Sequence, residues 1–126
     1  MTGSILCTRE AAIATVTLAN PGKRNALDLA MWRTLAAVLS ELSGDEQVRC
    51  VVLRGDGEQA FAAGGDIDEF LSQRDTLERA TAYHEQAGAA LQAVFDCRHP
   101  TIALVQGACI GGGLEIAAQC DLRICG

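Results

Sequence analysis

The residues best suited to chemistry are three consecutive glycines and a nearby glutamate. Gly111, Gly112 and Gly113 follow an apolar, strand-like run at 101–105, and Glu115 lies at the start of a helix-like segment. Glycines at such a junction let a ligand approach the backbone closely, and the first N–H groups of the helix have no partner within it. Backbone amides can stabilise an oxyanion, and a carboxylate beside them can carry a proton. Acyl chemistry requires both functions.

Two simpler interpretations of this junction stay open on the residues alone. The glycines could form only a tight turn, and a glutamate in a first helical turn is favoured by the helix dipole by itself. A phosphate-binding loop is the weaker alternative, because the lysine and hydroxyl of the GxxxxGK[ST] motif are absent.

A second glycine junction favours the chemical interpretation. Gly64 and Gly65 follow a strand-like segment at 48–53 and precede another helical pattern. Two strand–glycine–helix junctions in one small domain could each supply one backbone donor to the same oxyanion.

Four motifs, in this order and spacing, resemble the enoyl-CoA hydratase/isomerase family, also called the crotonase family. They are residues 20–27, 61–66, 107–115 and 120–124, so the resemblance covers essentially the whole chain. The resemblance implies an α/β fold, the crotonase-like ββα spiral. At 126 residues the chain is much shorter than a typical member, and we expect residues 1–126 to be the amino-terminal part of a truncated spiral that binds acyl-CoA.

The resemblance also implies a catalytic arrangement. The thioester carbonyl of an acyl-CoA would lie between the backbone N–H groups of Gly65 and Gly112. Glu115 matches the first of two glutamates with which hydratases position and deprotonate water; the second would lie beyond Gly126. Members without the second glutamate include isomerases and decarboxylases, so the reaction class is better defined than the reaction.

Recognition of coenzyme A falls, by the same resemblance, on a loop and on the two glycine junctions. Lys23 and Arg24 could meet the anionic nucleotide, although a merely solvated loop stays possible for both. Asp68 lies where many relatives carry a basic residue, which weakens the case for a nucleotide contact at this position. Coenzyme A is part of the substrate, so no separate cofactor and no metal is expected. The full set of expected binding residues is Lys23, Arg24, Ala26, Ala63, Gly65, Asp66, Ile67, Gly111 and Gly112.

Composition excludes several other classes of function. The net charge of −6 argues against a nucleic-acid surface, and no apolar run approaches the roughly 20 residues of a membrane span. Six cysteines without CxxC spacing predict buried free thiols in a reducing cytoplasm. We therefore expect a cytoplasmic protein that binds an acyl-CoA thioester and neither nucleic acid nor membrane. Relatives form trimers or hexamers through a later region, which implies a homo-oligomer.

The hydrophobic pattern predicts one domain in which strands and helices alternate, with parallel neighbouring strands. The strands are too continuously apolar for a sheet covered on one side. The predicted elements are strands Ile5–Arg9 and Ile13–Leu18 joined by a polar turn, a helix from Leu29 to about Leu42 capped by Asp28 and Gly44, a strand at 48–54, a loop at 55–65, a short helix from Asp66, a long helix at about 75–97, a strand at 101–105, the glycine helix and a final strand near Ile124.

Two functional hypotheses follow. The first is an acyl-CoA enzyme that hydrates a 2-enoyl-CoA; the second is a non-catalytic chain that uses the same scaffold for binding or assembly. Both glycine junctions and Glu115 are present, which favours the first. Trp32 has helical spacing with apolar neighbours and is predicted to be core. His84 has no partner at motif spacing and is left out of the site.

Overall fold

The structure is a computed structural model that describes residues 3–64 and 77–126. The predicted short helix from Asp66 and the candidate site residues Gly65, Asp66 and Ile67 lie outside these ranges. In chain order the described elements are β1 (Ser4–Glu10), β2 (Ile13–Ala19), α1 (Leu29–Ser43), β3 (Cys50–Gly55), β4 (Ala60–Ala62), α2 (Leu77–Phe95), β5 (Thr101–Val105), β6 (Ala108–Cys109), α3 (Gly112–Gln119) and β7 (Leu122–Cys125).

The main sheet has five strands in the order β1-β2-β3-β5-β7. The β1–β2 pair is antiparallel, and every following pair is parallel, which confirms the predicted parallel neighbours. The turn between β1 and β2 was expected to be polar, but it consists of Ala11 and Ala12, with Ala11 at a φ of 55°.

A second sheet was not predicted. It pairs β4 with β6 in parallel, and β4 lies inside the segment expected to be a loop. Strands of three and two residues are too short to show a periodic pattern. Their pairing is nevertheless decisive for the site, because each strand leads directly into one of the two glycine junctions.

Helix α1 begins and ends as its sequence predicts. The Asp28 carboxylate accepts a hydrogen bond from the backbone N–H of Met31 at 2.7 Å, and its other oxygen accepts one from the N–H of Gly3 at 2.9 Å. Gly44 is the C-cap. Trp32 is 2% exposed, so its assignment to the core is confirmed.

The two faces of the main sheet differ. Val16, Leu53 and Ala103 are on one face and are fully buried in a single core with residues of α1 and α2. On the opposite face, side chains remain open to solvent, so the expectation of a sheet covered on both sides is wrong for the described chain. Because strand side chains alternate, the pairing places five exposed apolar side chains on this open face: Leu6, Ile13, Leu104, Leu122 and Ile124.

The cysteines are all free, but most are not buried. Cys120 alone is buried, whereas Cys7 and Cys125 are exposed and the other three are partly exposed. The prediction of buried thiols is wrong for Cys7 and Cys125 because β1 and β7 are the edge strands of the main sheet. Burial raises the pKa of the Cys120 thiol to about 11.

Within the described ranges, no helix is long and apolar enough to cross a membrane. The same residues contain no group of histidine, cysteine and acidic side chains that could hold a metal ion.

Candidate active site

The two glycine junctions meet in the fold. The N–H of Ile110 donates to the carbonyl of Ala62 at 3.1 Å, extending the β4–β6 pairing. Just beyond, Gly64 has a φ of 103° and Gly111 a φ of 52°, in the region that glycine tolerates best. A Cβ on Gly111 would lie 3.5 Å from the Cα of Gly64, so the two backbones are in contact. The sequence predicted that Gly65 and Gly112 lie close together. Gly65 is outside the described ranges, and the contact that the structure shows is between the preceding residues, Gly64 and Gly111.

Helix α3 presents a backbone donor at its first residue. The N–H of Gly113 donates to the carbonyl of Ile110 at 3.0 Å, and that of Glu115 donates to Gly111 at 2.9 Å. For the N–H of Gly112, no acceptor is found in residues 3–64 or 77–126. An unsatisfied first-turn amide at the positive end of a helix is suited to an anionic oxygen.

Close packing explains why position 112 is a glycine. A Cβ there would lie 2.8 Å from Cζ2 of Trp32 and 3.4 Å from Cδ1 of Leu27. The first distance is shorter than real Cβ contacts, so a side chain would require movement of the indole or of the backbone. The indole therefore holds the start of α3 in place from the core side.

A chain of hydrogen bonds fixes that indole and links the two junctions. The Nε1–H of Trp32 donates to the Tyr83 hydroxyl at 2.9 Å, which donates to the carbonyl of Leu27 at 3.0 Å. The N–H of Leu27 donates to the carbonyl of Gly64 at 2.8 Å. Sequence reasoning missed Tyr83, because its partners are 51 and 56 residues away and no local pattern indicates them.

A cavity of about 350 Å³ lies between α2 and α3. Its volume falls within the range of about 300–1,000 Å³ that is common for small-molecule sites. Glu115 and Gly112 both line this cavity. His84, which the sequence analysis left out of the site, is exposed and also lines this cavity. The remaining lining residues are Trp32, Tyr83, Ala87, Gly88 and Leu91.

Two buried asparagines shape the loop expected to contact coenzyme A. Asn20 donates from Nδ2 to the carbonyl of Ala26 at 2.7 Å, and Asn25 donates to the carbonyl of Ala60 at 2.9 Å. These bonds hold Arg24 and Asn25 at φ values of 50° and 58°, a conformation that non-glycine residues adopt only with support from their surroundings. Both asparagines lie in the motif at 20–27, but the sequence alone indicates no role for them.

The same loop lies beside the first glycine junction. The N–H of Ala63 donates to the carbonyl of Arg24 at 3.0 Å, so these two expected binding residues are brought together. The Arg24 side chain is exposed and Lys23 is partly buried. Ala26 is only 6% exposed, and its role in the path of coenzyme A stays a prediction.

The chain is similar to known proteins in both sequence and structure. A sequence-family model described as "Enoyl-CoA hydratase/isomerase" matches residues 8–126. The chain is 38% identical to the YngF protein of Bacillus subtilis over 126 residues, which is 98% of this chain and 47% of YngF. It is 33% identical to the short-chain-enoyl-CoA hydratase of Clostridium acetobutylicum, covering 96% of this chain and 46% of that protein.

Among solved structures, an enoyl-CoA hydratase/carnithine racemase from Magnetospirillum magneticum is similar, with a TM-score of 0.92 and 48% identity. That match covers 96% of this chain and 45% of the other. The chain thus spans about half the length of the relatives it matches, and the predicted crotonase-like fold is confirmed. On its motifs, its fold and these similarities, the chain belongs to the enoyl-CoA hydratase/isomerase family.

Proposed function

We propose that this chain carries the oxyanion site and the first proton carrier of an acyl-CoA enzyme that hydrates a 2-enoyl-CoA. The observation that carries the proposal is the Gly112 amide, which has no acceptor among the described residues and lies on the same cavity as Glu115. A relative named as a short-chain-enoyl-CoA hydratase supports this choice of reaction.

The amide of Gly112 acts on the charge that develops during the reaction. Addition to C3 of an enoyl thioester moves an electron pair through C2 onto the carbonyl oxygen, which forms an enolate. A fixed N–H group stabilises this oxygen more strongly than the neutral carbonyl, and the loss of one such donor costs about 3–4 kcal/mol. We assign the second donor to Gly65, by resemblance and by the proximity of Gly64 to Gly111.

Glu115 acts on the proton. Its carboxylate takes a proton from water as the water oxygen bonds to C3, and the protonated Glu115 then gives a proton to C2 of the enolate, which completes addition across the double bond. Such general acid–base catalysis accelerates reactions about 10²–10⁴-fold.

The remaining parts of the proposal concern binding, assembly and location. We assign the nucleotide of coenzyme A to Lys23 and Arg24, because their loop is bonded to Ala63 beside the first junction. The open apolar face of the main sheet supports a homo-oligomer. Six free thiols are compatible with the reducing cytoplasm that we propose.

The proposal is tested by ligand binding. Acetoacetyl-CoA, whose enolate resembles the charged intermediate, should bind more tightly than free coenzyme A in calorimetry, because only the thioester oxygen reaches the Gly112 amide. Equal affinity for the two ligands would favour the alternative function, a scaffold used only for binding or assembly.

A further inference from the structure

The helical conformation of α2 does not require a glycine at position 88. Gly88 lies in the interior of α2, a helix of 19 residues, where glycine destabilises a helix relative to alanine. Its φ is not in the left-handed region, so the backbone conformation there is open to other residues.

Packing does not require Gly88 either. A Cβ at this position would meet no heavy atom of residues 3–64 or 77–126 within 4 Å. Gly112 is the opposite case, because a Cβ there meets Trp32 at 2.8 Å. The glycine at 88 therefore leaves a space open, whereas the glycine at 112 allows two groups to touch.

The space left open belongs to the cavity. His84 is four residues before Gly88 and Leu91 is three after it, so both share its helix face. These two residues, Gly88 and Ala87 all line the cavity. Gly112 and Glu115 line the same cavity from α3. A side chain at position 88 would extend into the space beside these two groups.

We propose that Gly88 determines substrate specificity by keeping room for an acyl group that continues beyond C4. The inference rests on the proposed function, since the free amide of Gly112 and Glu115 would hold the thioester and the first carbons. Ala87 and Leu91 offer an apolar wall to the following carbons, and His84 adds an exposed polar group to the same cavity. A larger side chain at position 88 should therefore weaken the binding of long acyl groups and leave the binding of short ones nearly unchanged.

The experiment uses two saturated ligands that cannot be hydrated, butyryl-CoA and octanoyl-CoA, with free coenzyme A as reference. Binding is measured by calorimetry for the unaltered chain and for Gly88→Ala and Gly88→Leu. We expect Gly88→Leu to weaken octanoyl-CoA binding about tenfold or more and to change butyryl-CoA binding less than about twofold. Gly88→Ala should raise the melting temperature by about 1–4 °C and still weaken octanoyl-CoA, so that stability and binding change in opposite directions.

Thr81→Ala is the matched control. Thr81 is exposed on the same helix and does not line the cavity, so its replacement should also raise the melting temperature but leave the ratio of the two affinities unchanged. Equal effects of Gly88→Leu on both ligands, or no effect on either, would overturn the role of Gly88 while the proposed function stands. If the unaltered chain binds both acyl-CoAs no better than coenzyme A, the proposed function fails and this inference fails with it.

Discussion

The indole ring of Trp32 occupies the space that a side chain on Gly112 would need. The ring carbon Cζ2 lies 2.8 Å from the position of a Cβ on Gly112, and the indole is fixed by its hydrogen bond to Tyr83. The proposed oxyanion donor is thus held by the core and cannot adjust independently of it.

Gly112→Ala should therefore damage both stability and the site. Overpacking of this kind costs about 1–3 kcal/mol, and displacement of the amide should abolish the preference for acetoacetyl-CoA over coenzyme A. Thermal unfolding and calorimetry measure the two effects. Gly44→Ala is the control, because Gly44 has a φ of −86° and only ordinary contacts. Unchanged ligand preference in Gly112→Ala would remove this amide from the mechanism.

Tyr83→Phe should destabilise the fold without changing its shape. The variant leaves the indole N–H of Trp32 and the carbonyl of Leu27 without their buried partner, which costs about 1–3 kcal/mol. Urea denaturation measures the loss. Val94→Ala, a buried change on the same helix, is the comparison: both variants should lose stability, but only Tyr83→Phe should reduce selectivity for acetoacetyl-CoA. Equal selectivity in the two would mean that the hydroxyl only supports packing.

Glu115→Gln separates a proton carrier from a residue that only complements the helix dipole. In a form of the protein that hydrates crotonyl-CoA, we expect turnover to fall about 10²–10⁴-fold and stability to change by about 0.3–1 kcal/mol. Steady-state hydration and melting temperature are measured on both proteins. Glu78→Gln, at the start of α2 and away from the cavity, should keep full turnover. Normal turnover in Glu115→Gln would exclude Glu115 as the proton carrier.

The open sheet face should make the chain self-associate. Exposed contiguous apolar surface drives association, and Leu122 and Ile124 are 58% and 54% exposed on adjacent positions of this face. Light scattering should detect oligomers, and the double change of Leu122 and Ile124 to glutamine should reduce them. Leu77→Gln is the control, because Leu77 is 85% exposed but lies on α2. A stable monomer of the unaltered chain would contradict the prediction.

The thiols should differ sharply in reactivity. Cys125 is exposed and should be alkylated first, whereas Cys120 is buried and its pKa of about 11 keeps it protonated. This pKa lies above that of an unburied thiol, so the unfolded chain releases the proton first and stability falls as the pH rises between the two values. Mass spectrometry after timed alkylation gives the order. Early labelling of Cys120 in the folded chain would contradict its burial.

Local patterns were enough to predict most of the fold. Asp28 and Gly44 limit α1 as predicted because caps depend on residues within one helical turn. The parallel strands follow from the alternation of strands and helices. The β4–β6 sheet could not be predicted. Its two strands have three and two residues, which is too short for a periodic pattern, and they are distant in sequence, so only the tertiary fold brings them together.

The candidate site was predicted less completely. Glu115 and the glycines are adjacent in sequence and give a motif, and the structure adds that Glu115 shares a cavity with Gly112. The contributions of Tyr83 and Asn25 depend on partners more than 30 residues away, which only tertiary structure brings together. The left-handed backbone of Arg24 illustrates the same limit, since it depends on the buried side-chain amide of the neighbouring Asn25.

Trp32 is the single tryptophan of the sequence, and its ring is both a wall of the cavity and a neighbour of Gly112. Ordinary emission spectra of the unlabelled protein therefore come from one indole at the candidate site. Quenching or a wavelength shift on addition of an acyl-CoA would report occupancy directly, without a dye or an engineered probe. The same indole that restricts residue 112 to glycine is thus an intrinsic fluorescent probe of the candidate site.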